Sequence, residues 1–198
     1  YVELFCDQYG DTLDDIAQRY LKHVRESTKR MQEMVKDILT YSQLENKNTA
    51  YSNVDCEAEV QKVLKNLKLS IEESNAEITY EELPTIRADR MQLFQVFQNL
   101  IGNAMKFCKE KTPRIHIRAE DDKEQWIFSV RDNGIGMKKE HTAQIFGVFQ
   151  RLNMTEDFPG TGIGLSICQK VIQKHGGKIW VESKLNNGST FYFSFPKK

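Results

Sequence analysis

The sequence predicts an α+β protein: a two-layer sandwich, with a mixed or antiparallel sheet covered by helices, preceded by a helical hairpin or bundle segment. Three observations carry this prediction. Residues 13–43 contain no Gly or Pro, and apolar or small residues recur there at alternating steps of four and three. Residues 114–119 (RIHIRA) and 126–131 (WIFSVR) alternate with the period of half-buried strands. Residues 178–183 and 190–195 read as a hairpin closed across Asn186, Asn187 and Gly188.

Taken in order, residues 1–9, with Val2, Leu4 and Phe5 apolar, read as the tail of a helix, and Gly10 and Asp11 as the turn that ends it. Residues 12–15 (TLDD) match a capping box for the next helix. Its seam runs through Leu13, Ala17, Tyr20, Val24, Ser27, Met31, Met34, Ile38 and Tyr41. Ile16, Leu21, Val35 and Leu39 widen the stripe to what a helix of a four-helix bundle needs. The polar stretch at residues 45–53 (ENKNTAYSN) breaks the period and marks the domain boundary. Asp55 is placed to cap a helix over residues 56–74, with a short strand at 76–82 and a turn at Leu83 and Pro84. Asp89 with Gln92 is placed to cap a further helix reaching Phe107, and residues 120–125 form a charged turn between the two alternating strands. A last helix follows residues 158–165 (FPGTGIGL).

Composition narrows the function. The chain has 198 residues, 39% hydrophobic and 28% charged, with 28 basic and 28 acidic side chains. A net charge of zero without long blocks of one sign disfavours nucleic acid and membrane surfaces as partners. Cys6, Cys56, Cys108 and Cys168 are widely spaced, without a CxxC pair, and read as reduced thiols of a cytoplasmic segment. No apolar run approaches the roughly 18 residues of a membrane span, and no signal-peptide pattern is present. The chain opens at Tyr1 and is expected to be a piece of something longer.

Of the 11 glycines, five fall in two short stretches, DNGIGM at 132–137 and GTGIGL at 160–165. Glycine permits a positive φ and lets backbone approach a ligand without a Cβ in between. A helix that starts directly after such a loop offers free N–H groups and a positive dipole end to an anion. GTGIGL is therefore a candidate phosphate cradle, although a hinge or tight turn accounts equally well for the loop by itself. It is neither a P-loop nor a dinucleotide fingerprint. Asp132 ends the apolar strand WIFSVRD, where a carboxylate beside glycines suits a planar base with an exocyclic amine; a plain Asp-Asn-Gly turn is the alternative.

Residues 99–107 (NLIGNAMKF) place Asn99, Asn103 and Lys106 at i, i+4, i+7, a polar line opposite Phe94, Phe97, Leu100, Ile101 and Ala104. Asn is locally costly inside a helix, so two of them a turn apart suggest a reason beyond solvation. A carboxamide oxygen suits Mg²⁺, and Lys106 suits a phosphate.

The order of these elements resembles the N, G1 and G2 boxes of the sensor histidine kinases, which share a nucleotide-binding superfamily with gyrase B, Hsp90 and MutL. Residues 145–152 (IFGVFQRL) look like the F box, and GGKIWVESKLNNGSTFYFSFP looks like the closing hairpin. Residues 1–45 look like the second part of the dimerisation and phosphoacceptor hairpin of phytochrome-like kinases. The resemblance spans essentially the whole chain and implies a Bergerat-type ATP-binding fold. It divides the chain into a hairpin segment at 1–45, a linker at 46–53 and an ATP-binding catalytic domain at 54–198.

The resemblance further implies roles. Asn103 would hold Mg²⁺ with Asn99 at the same edge, Lys106 would reach phosphates, and Phe107 would lie against adenine. Asp132 would accept the adenine amino group while Gly134 and Gly136 make room for the base. Arg151 would touch phosphate. Gly160, Thr161, Gly162 and Gly164 would form the lid hinge and cradle, with Leu165 at the helix start, and Thr190 would hold a water near adenine. Residues 146–159 would be the lid. ATP and Mg²⁺ are thus the implied cofactors, with a response regulator receiver domain and a second copy of the parent chain as partners.

Hydrolases of that superfamily carry a Glu one turn before the Mg²⁺-binding Asn to activate water. Asn99 stands there instead, and its amide cannot take a proton. This favours a histidine kinase over an ATP-driven clamp of the Hsp90 or MutL kind, or over a non-catalytic nucleotide-binding module. A kinase of this type needs positioning and charge neutralisation rather than a base, because the acceptor imidazole is itself the nucleophile. The resemblance places the acceptor His in the first bundle helix, and His23, His116, His141 and His175 are not expected to replace it. The chain is therefore expected to bind ATP without phosphorylating itself.

Overall fold

The computed structural model describes every residue except 47–49, 109–110, 151–157, 159 and 198. Helix α1 (Val2–Tyr9) and a single 3₁₀ turn (Gly10–Thr12) lead into α2 (Asp15–Asn46), 32 residues long. The cap of α2 is Asp14 rather than Thr12: Asp14 Oδ1 accepts from Ala17 N–H at 2.7 Å, while the Thr12 hydroxyl turns back to the Tyr9 carbonyl at 2.8 Å. A carboxylate at this position also meets the positive helix end favourably.

Strand β1 (Tyr51–Asp55) follows, so the expected 46–53 linker already ends inside a strand. It pairs antiparallel with β3 (Thr85–Asp89), Tyr51 opposite Asp89 and Val54 opposite Ile86. Neither strand was expected. Both are short, and β1 buries only Val54, so no alternating pattern announces them. The expected helix over 56–74 divides into α3 (Cys56–Asn66) and α4 (Lys68–Ser74) at Leu67, whose ψ of 7° leaves the helical range. The division lets Leu67 and Ile71 turn onto the core beside buried Val60 and Val63. Asn75 then ends α4 in the left-handed conformation that Asn tolerates. The expected caps hold: Asp55 accepts from Ala58 N–H at 3.1 Å, and Asp89 from Met91 and Gln92 at 3.0 and 3.2 Å.

The main sheet has five strands in the order β2-β4-β5-β7-β6: β2 (Glu77–Tyr80), β4 (Arg114–Asp122), β5 (Gln125–Asp132), β6 (Ile179–Ser183) and β7 (Ser189–Pro196). Only β2 and β4 run parallel; the rest is antiparallel, and the sheet is mixed as predicted. The charged turn shrinks to Lys123 and Glu124, because β4 and β5 extend their pairing to Asp122 opposite Gln125. Helices α5 (Arg90–Lys106) and α6 (Gly164–Lys174), together with α3, cover one sheet face. Phe97 of α5 meets Phe128 and Phe193 edge-on, and those two rings stack at 5.0 Å. This aromatic centre is fully buried, and it seats α5 on the sheet.

The last turns of α2 lie against α6. Leu44 is buried, Lys174 Nζ donates to the Leu44 carbonyl at 2.8 Å, and Lys170 Nζ stands 3.9 Å over the Tyr41 ring. Farther back along α2, Ile16, Tyr20, Val24, Met31, Val35 and Leu39 are exposed. Among the described residues, no helix is long and apolar enough to cross a membrane.

Candidate functional site

Asp132 closes β5 and is 9% exposed. Its Oδ1 accepts from Gly134 N–H at 2.8 Å and from Ser189 N–H at 3.1 Å, so two backbone donors fix the carboxylate. Burial raises its pKa above the ordinary carboxylate value, and the two N–H bonds oppose the rise. The side chain faces a cavity of about 590 Å³ between the end of β5, α5, the loop before α6 and α2.

Helix α5 brings its polar line to this cavity as the spacing predicts: Asn99, Asn103, Lys106 and Phe107 all line it. Asn99 is also a structural neighbour of α6. Its Oδ1 would stand 3.0 Å from a β-carbon on Gly164, and its amide bonds to the Cys168 thiol, which burial pushes up to about 12. Glycine at 164 thus lets α6 approach α5 closely. Lys106 Nζ lies 4.7 Å over the Phe107 ring and against Gly160, where a β-carbon would come within 2.7 Å of it. Gly160 and Gly162 have φ of +154° and +75°, so the loop takes a path that side-chain-bearing residues disfavour. Together with Thr161, Gly164 and Leu165 they complete the wall opposite Asn103.

Two expectations need correction and a third gains a structural side. Thr190 lies outside the cavity lining; Ser189 and Phe191 line it instead. Successive residues of β7 point to opposite faces, so the neighbours of Thr190 face the cavity while Thr190 lies beside Tyr192 on the outer face. Gly134 and Gly136 also make room for the chain's own backbone, and of the two Gly136 lines the cavity. A β-carbon on Gly134 would meet the Phe107 carbonyl oxygen at 2.6 Å, and one on Gly136, where φ is +60°, the Lys184 carbonyl oxygen at 2.1 Å. The expected lid starts too early, since Phe146 is buried against Phe191. Arg151 and most of the expected lid lie outside the described residues.

Residues 88–198 match the family described as histidine kinase-, DNA gyrase B-, and HSP90-like ATPase, which is more than half of the chain. The chain belongs to this ATPase family. It is 45% identical over 196 residues to cyanobacterial phytochrome A of Nostoc sp., covering 99% of this chain and 26% of that protein. Among solved structures, full-length ShkA in complex with AMPPNP is similar at a TM-score of 0.75 and 28% identity, over 93% of this chain and 39% of that one. The histidine kinase ThkA in complex with the response regulator protein TrrA gives the same TM-score and identity, over 100% of this chain and 57% of that one. The sheet and its helices are therefore the catalytic-domain fold of the histidine kinases.

Within this ATPase fold, several lining residues were not foreseen. Gln95 extends the α5 polar line one turn back, and the same i, i+4 spacing would have found it. Phe158 packs on Phe107, ring centroids 5.1 Å apart. Glu33, Lys36, Asp37 and Thr40 of α2 form a further wall, and no local pattern could announce a contact between elements so distant in sequence. Asp37 Oδ2 accepts from Thr161 Oγ1 at 2.6 Å. The four histidines stand apart from the cavity lining. His175 is 9% exposed, and its Nδ1–H donates to the Val171 carbonyl at 2.8 Å, so its Nε2 is the acceptor for Asp89 N–H at 3.0 Å.

Proposed function

We propose that this chain is the ATP-binding catalytic module of a sensor histidine kinase. It transfers the γ-phosphate of ATP to a His on another segment of the parent protein, and that phosphate passes on to an Asp of a response regulator receiver domain. The observation that carries the reading is the buried Asp132, held by two backbone N–H groups in a cavity whose far wall is a glycine loop at a helix start.

In this reading Asp132 accepts the adenine amino group, and Phe107 supplies an aromatic face for the base. Lys106, already against Gly160, brings a cation to the phosphate end, while Gly160, Thr161, Gly162 and Gly164 shape the loop before α6. Asn103, with Asn99 at the same edge, offers an amide oxygen to Mg²⁺, which suits a hard cation that keeps waters and substrate oxygens in its shell. When bound, the metal would neutralise phosphate charge. Asn99 cannot act as a general base, so water is not activated from this position and ATP is kept for transfer.

Residues 1–45 are read as the second part of the dimerisation hairpin, 46–53 as the junction and 54–198 as the catalytic domain. The parent is a homodimer through its helical bundle, and this segment works in the cytoplasm. The chain spans only about a quarter of the length of the curated relatives it matches, which is consistent with a module of a larger sensor.

Replacing Asp132 by Asn tests the site. It is expected to weaken ATP by about 1.5–3 kcal/mol, the cost of spoiling a buried charge-assisted hydrogen bond, while radiolabelled ATP leaves no acid-labile phosphate on this chain. Isothermal titration giving unchanged affinity would remove the adenine assignment.

A further inference from the structure

Asp37 belongs to α2, yet its carboxylate is bonded to the loop that leads into α6, accepting from Thr161 Oγ1 at 2.6 Å. The same hydroxyl accepts from Ile163 N–H at 3.3 Å, so one side chain joins the carboxylate to the backbone just before α6. Glu33, one turn earlier in α2, faces the same cavity, as do Lys36 and Thr40. The α2 wall therefore brings two carboxylates and one ammonium group to the phosphate end, a net negative contribution where a polyanion would approach.

A carboxylate and a phosphate present the same chemistry to this loop: negative charge and acceptor oxygens seeking N–H and O–H donors. Resting on the reading that the loop takes the phosphates of ATP, we propose that Asp37 is an intrachain competitor for them. It holds the Thr161 hydroxyl while the phosphate site is empty and must yield that donor when a triphosphate binds. The competition links two events. Binding at the loop loosens one attachment of α2 to the catalytic layer, and by reciprocity a movement of α2 that withdraws Asp37 strengthens nucleotide binding by the same factor.

The test is equilibrium binding of AMPPNP, ADP and adenosine to the 198-residue chain and to its Asp37→Asn and Asp37→Ala variants. Asn removes the charge, whereas Ala removes charge and acceptor. Both are expected to tighten AMPPNP by about fivefold to tenfold, with a smaller gain for ADP and none for adenosine, because the effect acts on phosphate. Asp132→Asn, at the opposite end of the cavity, should weaken all three. A chain that binds none of the three ligands overturns the nucleotide reading and this inference with it. Wild-type binding with AMPPNP affinity unchanged or weakened in both Asp37 variants overturns this inference alone, as does an equal gain for adenosine.

Discussion

A β-carbon on Gly188 would stand 2.0 Å from the Asp132 carbonyl oxygen, and one on Gly136 would come almost as close to that of Lys184. These two glycines clamp the end of β5 to the β6–β7 turn, which in turn aims the Ser189 N–H at the Asp132 carboxylate. Gly136→Ala should therefore cost about 1–3 kcal/mol through its positive φ alone, with the carbonyl clash added, and urea denaturation will show it. It should also weaken nucleotide binding, because Asp132 loses its frame. That Asp132, Asn99, Asn103 and Lys106 would face one cavity was legible in the sequence, since helical spacing and a strand end define where those side chains point. The choice between Ser189 and Thr190 was not. Both are small hydroxyl residues, and which one faces inward depends on strand parity, set by pairing with β5 and β6 across the sheet.

At the scale of elements, the joint between β3, α5 and α6 rests on His175. Its imidazole takes the Asp89 N–H at the start of α5, while the Asp89 side chain caps that helix. Burial lowers the His175 pKa from its ordinary 6.5, outweighing the Val171 carbonyl and the Asp89 charge, which raise it. The unfolded chain then takes up a proton below about pH 6.5 that the folded chain refuses. Stability from this group is full above that pH and declines as pH falls, until the folded imidazole itself titrates. Melting temperatures measured between about pH 7.5 and about pH 5.5 should fall, and the slope should be shallower in His175→Gln. The bond this histidine donates stays within its own helix end, whereas its acceptor role toward Asp89, 86 residues earlier, is a tertiary fact. Helix caps were readable because they are local. The β1–β3 pair was not, because its strands are too short to declare a period.

Over the whole molecule, the division of labour lies between a packed catalytic layer and a helix only partly seated on it. Val35 and Leu39 of α2, with Met31, line an apolar groove on the side exposed to solvent. If the parent dimerises through this bundle helix, Val35→Lys with Leu39→Glu should shift the sedimentation of the chain toward the monomer while leaving AMPPNP binding within about twofold. The heptad spacing and its flanking residues predict an apolar stripe here, and Met31, Val35 and Leu39 are exposed along it. That the other side of the same helix reaches the cavity beside Asp132 was beyond any periodicity, because it depends on how two distant segments meet. At 1.5 Å per residue α2 is about 48 Å long, and its anchorage on α6 falls near its C-terminal end, at Tyr41 and Leu44. It is therefore a long lever: a swing at the far tip would turn about a bearing at Tyr41, one helical turn from Asp37, which holds the hydroxyl of Thr161.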